Sequence, residues 1–111
     1  KLCARLDVRA ELKALAKACE DEMGHPSKPF TLPELWMASA ELGVDWRRLK
    51  RLVKRLLRLG WLAPLGHGAY LPTPELVDVL AYVKWGSSAF ASEDAARRAE
   101  RLLRGLGRRS C

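Results

Sequence analysis

The sequence predicts a mainly α-helical protein with one small β-hairpin. Five segments repeat apolar residues at helical spacing, and residues that cap or end helices bound most of them. A sixth segment, residues 61–72, consists of two short apolar runs on either side of Gly66-His67-Gly68, which is typical of a hairpin. The chain has 111 residues, enough for a single domain with one modest core.

Two helices are expected in the amino-terminal part of the chain. The first runs from Asp7, its N-cap, to about Met23, because apolar residues recur there every three or four positions. A loop with one glycine and two prolines follows. Thr31 and Glu34 then form a capping box, and Gly43 ends the second helix. One side of this helix carries Leu32, Leu35, Trp36, Ser39 and Leu42.

The third helix is the most informative segment. Asp45 caps it, it spans Trp46 to about Leu59, and Gly60 ends it. Its apolar side consists of Trp46, Leu49, Leu52, Val53, Leu56, Leu57 and Leu59. Every other position is a cation: Arg47, Arg48, Lys50, Arg51, Lys54, Arg55 and Arg58. The helix must therefore pack one side on the core and present seven cations on the other.

The hairpin and two further helices complete the chain. Pro64 restricts its strand to the edge of a sheet or to a bulge. Thr73 caps a fourth helix that starts at Pro74 and continues to Trp85, and Ser92 caps a fifth that ends near Leu106. These last two helices either complete a core on the first helix or form the interface of a homodimer.

The net charge of +7 is concentrated on the third helix. Residues 44–72 hold seven basic residues and one acidic residue. Solvated helix faces usually interleave acids with bases at four-residue spacing. No acid interrupts the cations between Asp45 and Leu59, which favours a polyanionic partner over a merely solvated face.

The remaining composition excludes several classes of protein. The sequence lacks the apolar runs of membrane-spanning helices and the layout of a signal peptide, so a cytoplasmic protein without membrane insertion is expected. It contains no Asn, Gln or Ile, which suits a thermophilic bacterium or an archaeon, although a GC-rich genome explains part of this bias. Cys19 is expected to be buried in the core, and a bridge between Cys3 and Cys111 is conceivable.

No catalytic, metal or cofactor site is predicted. The sequence has no glycine-rich phosphate loop, no cluster with metal-ligand spacing and no motif that pairs a nucleophile with a base. Glu20, Asp21 and Glu22 are consecutive, so on a helix they fan out as a solvated end. An enzyme is therefore not expected.

The order of these elements resembles the winged helix-turn-helix DNA-binding domains. Residues 40–49, Ala-Glu-Leu-Gly-Val-Asp-Trp-Arg-Arg-Leu, look like the helix–glycine–helix crossing of that family. Residues 59–71 look like its entry into the wing, and Gly68-Ala69-Tyr70-Leu71-Pro72 is similar to the wing of small antitoxin repressors. The resemblance implies a winged helix-turn-helix over residues 1–72, with residues 73–111 as two extra carboxyl-terminal helices.

The resemblance also implies double-stranded DNA as the partner, with the third helix in the major groove and the wing on the neighbouring backbone. The implied DNA contacts are Arg47, Arg48, Lys50, Arg51, Lys54, Arg55 and Arg58, with His67 at the wing tip either near a phosphate or simply in an exposed turn. Arg48 and Lys50 lie at the edges of the basic face, and the other five cations lie nearer its centre. Because the helix offers no Asn or Gln to read adenine, phosphate contacts should dominate, with guanine reading by Arg47, Arg48 or Arg51.

A second hypothesis is a winged-helix interaction module from a larger replication, transcription or membrane-remodelling protein. The chain starts at Lys1 rather than Met, and its basic helix lacks the amides that read bases. The basic helix would then meet an acidic protein surface, with Met37 and Trp85 as apolar anchors.

Overall fold

The structure is a computed structural model that describes residues 8–107 of the chain. Within that range the chain is mainly helical with a small antiparallel sheet, as predicted. The elements in chain order are α1 (Arg9–Ala18), β1 (Phe30–Thr31), α2 (Leu32–Leu42), α3 (Trp46–Leu59), β2 (Leu62–Gly66), β3 (Ala69–Pro72), α4 (Pro74–Trp85), a 3-10 turn (Gly86–Ala89) and α5 (Glu93–Leu106).

The sheet has three strands in the order β1-β3-β2, all antiparallel. The predicted hairpin is present, and Pro64 lies on the edge strand β2, opposite Tyr70. Strand β1, in which Phe30 pairs with Tyr70, was not predicted from the sequence. Two residues carry no alternation pattern, so this strand is defined only by its pairing with β3. The Phe30 side chain is fully buried, and the centroid of its ring lies 5.7 Å from the ring centroid of Tyr70.

Helix α1 is shorter than predicted, because its expected last turn is folded into a loop. The carboxylate of Asp21 accepts hydrogen bonds of 2.9 Å from the amides of Met23 and His25. A side chain that satisfies backbone donors in this way competes with helix formation. The amide of His25, and then that of Met23, hold the pKa of the Asp21 carboxyl below its ordinary value. The assignment of Asp21 to a solvated helix end was therefore wrong, and Met23 is 88% exposed rather than packed.

The capping box of α2 is present as predicted, but the buried side of the helix differs. The Thr31 hydroxyl accepts from the Glu34 amide at 3.4 Å, and the Glu34 carboxylate accepts from the Thr31 amide at 3.0 Å. Leu35, Ala38 and Ser39 face the core. Trp36 and Leu42, which were predicted on the inward side, are instead 54% and 47% exposed. Ala38, which was not predicted on that side, is 4% exposed, and α2 packs against α1.

The ends of α3 and α5 follow the prediction, and α4 starts at Pro74 as predicted, but Thr73 does not cap it in the predicted way. Asp45 accepts from the amide of Arg47 at 3.1 Å, and Ser92 accepts from the amide of Ala95 at 3.2 Å. Thr73 makes no capping bond with its side chain. Its hydroxyl and its amide both donate to the carbonyl of Trp61, at 3.1 and 2.9 Å, and so close the base of the hairpin.

Both carboxyl-terminal helices pack onto the core of the same chain. Helix α4 lies against α1, and α5 lies against α4. The core shared by the five helices is built from buried side chains that include Leu12, Leu15, Leu35, Leu49, Leu56, Leu76, Val79, Leu80, Leu103 and Leu106. The apolar surface of α4 and α5 is therefore largely covered within one chain, while a homodimer stays a prediction.

The structure confirms the burial of Cys19, whose thiol is inaccessible in the core. Burial raises the pKa of this thiol to about 12, so it stays protonated and unreactive at neutral pH. The predicted N-cap Asp7, the Cys3–Cys111 pairing and the Arg108-Arg109 tail lie outside the described residues.

A buried acid in α1 gives a first testable prediction. Glu11 is 5% exposed, and its Oε2 atom has no hydrogen-bond partner among residues 8–107. Leaving that oxygen buried and unsatisfied costs about 1–3 kcal/mol. Glu11 lies in the first turn of α1, where the interaction of its charge with the helix dipole stabilises the fold by only about 0.3–1 kcal/mol. Glu11→Met should therefore raise the free energy of unfolding by about 1 kcal/mol, measured by urea titration.

The matched control is Glu22→Met, which makes the same change of charge at an exposed position and should leave the unfolding midpoint unchanged. A lower midpoint for Glu11→Met than for the unmodified chain would show that the carboxylate is satisfied after all.

Candidate nucleic-acid interface

Helix α3 presents its cations on the surface because most of its apolar residues face the core, although Leu59, predicted on the apolar side, is 50% exposed at the end of the helix. Leu49, Leu52, Val53 and Leu56 are all buried, at 5% exposure or less. Six of the seven predicted site residues on this helix are exposed and together form the basic face: Arg47, Arg48, Lys50, Arg51, Lys54 and Arg58. The structure thus brings these six side chains to one surface, as the sequence predicted.

Four members of the basic face form a straight row along the helix. Arg47, Arg51, Lys54 and Arg58 follow the spacing i, i+4, i+7, i+11, which places side chains on one line within about 60° around the helix axis. We call these four residues the central row. At 1.5 Å of rise per residue the row is about 16 Å long. Arg48 and Lys50 flank it on opposite sides.

No carboxylate of residues 8–107 forms an ion pair with the basic face. The ion pairs among residues 8–107 join Lys17 to Glu41, Lys84 to Glu20, Arg97 to Glu93 and Arg104 to Glu100. None of these pairs involves the basic face. The only acid at the start of the helix, Asp45, is occupied as its N-cap. Six like charges on four turns repel one another, so this arrangement favours a bound polyanion.

Arg55 is the one predicted cation of α3 that the structure places elsewhere. Its guanidinium donates to the carbonyls of Leu106 and Gly105 at the end of α5, the second at 3.3 Å, and the side chain is half-buried. Arg55 was predicted to lie near the centre of the basic face. On the helix wheel it lies only about 20° from Arg48, at the border with the core, where α5 ends. The two hydrogen bonds of Arg55 therefore serve the fold, because they join α3 to the end of α5.

The hairpin places His67 at its tip. His67 and Gly68 have φ angles of 55° and 75°, as the two-residue turn of a tight hairpin requires. The His67 side chain is exposed, and within residues 8–107 no hydrogen bond, ion pair or ring contact joins it to α3. Strand β2 packs against α3, so the hairpin and the basic helix form one continuous unit. The exposed Leu65 and Leu71 flank this tip.

Helix α5 carries surface cations that the sequence analysis did not assign to a site. Arg97 and Arg104 are paired with glutamates four residues away, at 3.7 and 2.7 Å. Arg98 and Arg101 are exposed and have no ion pair with any residue of 8–107. The signal was present in the sequence, because no acid stands three or four positions from Arg101.

The described part of the chain has few features that would suggest a metal site, a membrane-spanning helix or a catalytic site. No group of three His, Cys, Asp or Glu side chains there is arranged to hold a metal ion. None of the helices within residues 8–107 is long and apolar enough to cross a membrane. An open cleft between α4 and α5 is lined by Tyr82 and Glu100, which hydrogen-bond each other at 3.1 Å. Ser92 and Glu93 also line this cleft, but Ser92 caps α5 and Glu93 is paired with Arg97.

Comparison with family models, with curated proteins and with solved structures finds no match to this chain. The function must therefore be argued from the chain's own residues.

Proposed function

We propose that this chain is a winged-helix protein that binds double-stranded DNA, acting as a transcriptional regulator or other DNA-associated factor. The observation that carries the proposal is the central row of α3, four exposed cations without a carboxylate partner among the described residues. A phosphate backbone supplies the counter-charges that the fold itself does not provide.

The order of the elements around α3 supports the winged-helix interpretation. Helices α2 and α3 are joined by a short turn at Gly43, whose φ of 66° requires glycine-like freedom. The hairpin β2–β3 follows α3 directly, with its tip turn at His67-Gly68. In a winged helix, the helix in the position of α3 enters the major groove and the hairpin contacts the adjacent backbone.

The dimensions of the basic face suit a duplex. A helix of about 10–12 Å diameter fits a major groove about 12 Å wide. Duplex DNA carries one negative charge for each ~1.7 Å of its axis, so the ~16 Å central row passes several phosphates on either wall of the groove. The flanking Arg48 and Lys50 point towards the two walls, where the backbones run.

The side-chain types favour phosphate contacts over base reading. Arginine binds guanine O6 and N7 through two hydrogen bonds, but no Asn or Gln is available to read adenine. Arg47 and Arg51, in the amino-terminal half of the row, are the residues placed to read a guanine. His67 would contact the backbone beside the groove. We therefore expect strong dependence on salt and modest dependence on DNA sequence.

The experiment is a fluorescence anisotropy titration of a labelled 24-base-pair duplex at several salt concentrations. If the central row and one flanking cation each neutralise a phosphate, the slope of log affinity against log salt is about −4.5. A single-stranded oligonucleotide of equal length is the control, and it should bind more weakly. No duplex binding at about 50 mM salt, or binding that does not respond to salt, would contradict the proposal.

A second function is favoured by exposed apolar side chains away from the basic face. Trp36 and Met37 are neighbours on α2 and are 54% and 60% exposed, and Trp85 at the end of α4 is 41% exposed. Exposed aromatic and methionine side chains are enriched in protein interfaces. The chain would then be an interaction module whose basic face meets an acidic protein. Displacement of the duplex by poly-glutamate at equal charge concentration would favour this second function over DNA binding.

A further inference from the structure

We propose that α5 carries a second DNA-contacting surface, formed by Arg98 and Arg101, which extends the footprint of α3 along the phosphate backbone. This inference rests on the proposed DNA-binding function and names two contacts that lie outside the helix-turn-helix and the hairpin.

Ion pairing sorts the four arginines of α5 into two classes. Arg97 and Arg104 are held by Glu93 and Glu100, each at four-residue spacing. Arg98 and Arg101 are exposed and pair with no carboxylate of residues 8–107. Asp94 stands four positions before Arg98, yet it makes no ion pair with it.

The two classes face different neighbours. Glu100 accepts a hydrogen bond from the Tyr82 hydroxyl, so the side of α5 with Glu100 and Arg104 is turned towards α4. Arg98 projects from a side of the helix about 120° away from Arg104, and Arg101 lies between them, at the centre of the exposed surface. Arg98 and Arg101 are therefore turned away from Glu100, and Asp94, which lies between them around the helix axis, forms an ion pair with neither.

The end of α5 is fixed to α3 through Arg55. The guanidinium of Arg55 donates to the carbonyls of Gly105 and Leu106. At about 100° per residue, Gly105 lies within about 20° of Arg98 and about 40° of Arg101 around the axis of α5. Arg98 and Arg101 thus lie on the side of α5 whose end is held by Arg55, about 10 Å and about 6 Å of rise from Gly105.

A structural role does not account for these two cations. They stand three positions apart on one helix, a spacing at which like charges repel each other slightly. Alanine favours helix at least as well as arginine does. Neither arginine forms an ion pair within residues 8–107, whereas a nearby phosphate backbone would stabilise both charges.

The test compares two double variants with the same net charge. In the same duplex titration, Arg98→Ala with Arg101→Ala should reduce the magnitude of the salt slope by about 1.8 and weaken binding about 60-fold at 0.1 M salt. The matched control, Arg97→Ala with Arg104→Ala, also removes two positive charges, but it removes them from the side turned towards α4. We expect this control to weaken binding less than about fivefold, through the general field alone.

Thermal unfolding of both variants checks that the fold is retained. Equal losses in the two variants would overturn the inference, because they would show that only net charge matters. Unchanged binding by the Arg98 and Arg101 variant, with tight binding by the unmodified chain, would overturn it while leaving the proposed function intact. Failure of the unmodified chain to bind duplex would overturn both.

Discussion

Replacing Arg51, Lys54 and Arg58 together with alanine is expected to weaken duplex binding about 500-fold at 0.1 M salt. Each cation that neutralises a phosphate releases about 0.9 of a counterion, which is worth about 0.9 log units of affinity at that salt concentration. The three residues are adjacent members of the central row, so a duplex docked on α3 meets them together. The same variant should lose about 2.7 from the magnitude of the salt slope.

The fold should tolerate this triple change. All three side chains are exposed, and none forms an ion pair with another residue of 8–107. Alanine is the best helix former, and the change relieves repulsion between like charges. We therefore expect the melting temperature to stay the same or to rise slightly, so a loss of binding will not reflect unfolding.

A matched control removes three cations that are ion-paired in the structure. Lys17, Arg97 and Arg104 are held by glutamates at 3.0, 3.7 and 2.7 Å, and Glu41 raises the pKa of Lys17. Their joint replacement by alanine gives the same net charge as the triple variant of α3. It should cost less than about tenfold in affinity. If both triple variants bind equally well, α3 is only a solvated helix face, and the interaction-module hypothesis gains support.

The parts of the fold that were predicted correctly depend on interactions between residues that are close together in the sequence. The capping residues Thr31, Asp45 and Ser92 lie within three residues of the amides that they accept, so a short window contains the whole interaction. The two faces of α3 could be separated because no charged residue interrupts its apolar side. The mainly helical class and the hairpin follow from these signals.

Two of the parts that were missed depend on contacts between distant segments, and one depends on a local side-chain contact. Strand β1 is two residues long and is defined only by pairing with β3. The end of α1 depends on the carboxylate of Asp21, whose loop is completed by Gly24 and His25. The exposure of Trp36 and Leu42 depends on how α2 packs against the rest of the fold, which periodicity alone does not determine.

The sequence predicted that α3 carries a basic face, but not which residues lie at the edges of that face. The wheel separated cations from apolar residues correctly, yet it could not show which border residue another helix would contact. Arg48 and Arg55 lie only about 20° apart around the axis of α3. The contact of Arg55 with α5 is what distinguishes them. The same contact holds the end of α5, and with it the helix that carries Arg98 and Arg101, against α3.

Arg55→Ala is expected to lower the free energy of unfolding by about 2 kcal/mol, because hydrogen bonds from a charged donor are worth about 1.5–3 kcal/mol. The half-buried guanidinium caps the last carbonyls of α5 and joins that helix to α3. It also places a positive charge at the negative end of the α5 dipole. For a chain of this length the loss corresponds to a fall of about 10 °C in melting temperature.

The adjacent Lys54 provides the comparison, because it is exposed and belongs to the central row. Lys54→Ala should leave the melting temperature unchanged and reduce the magnitude of the salt slope by about 0.9. Arg55→Ala, measured well below its melting temperature, should show the opposite pattern, with reduced stability and a nearly unchanged slope. If Arg55→Ala instead keeps its stability and loses a full unit of slope, Arg55 reaches the phosphate backbone, and its bond to α5 must yield when DNA binds.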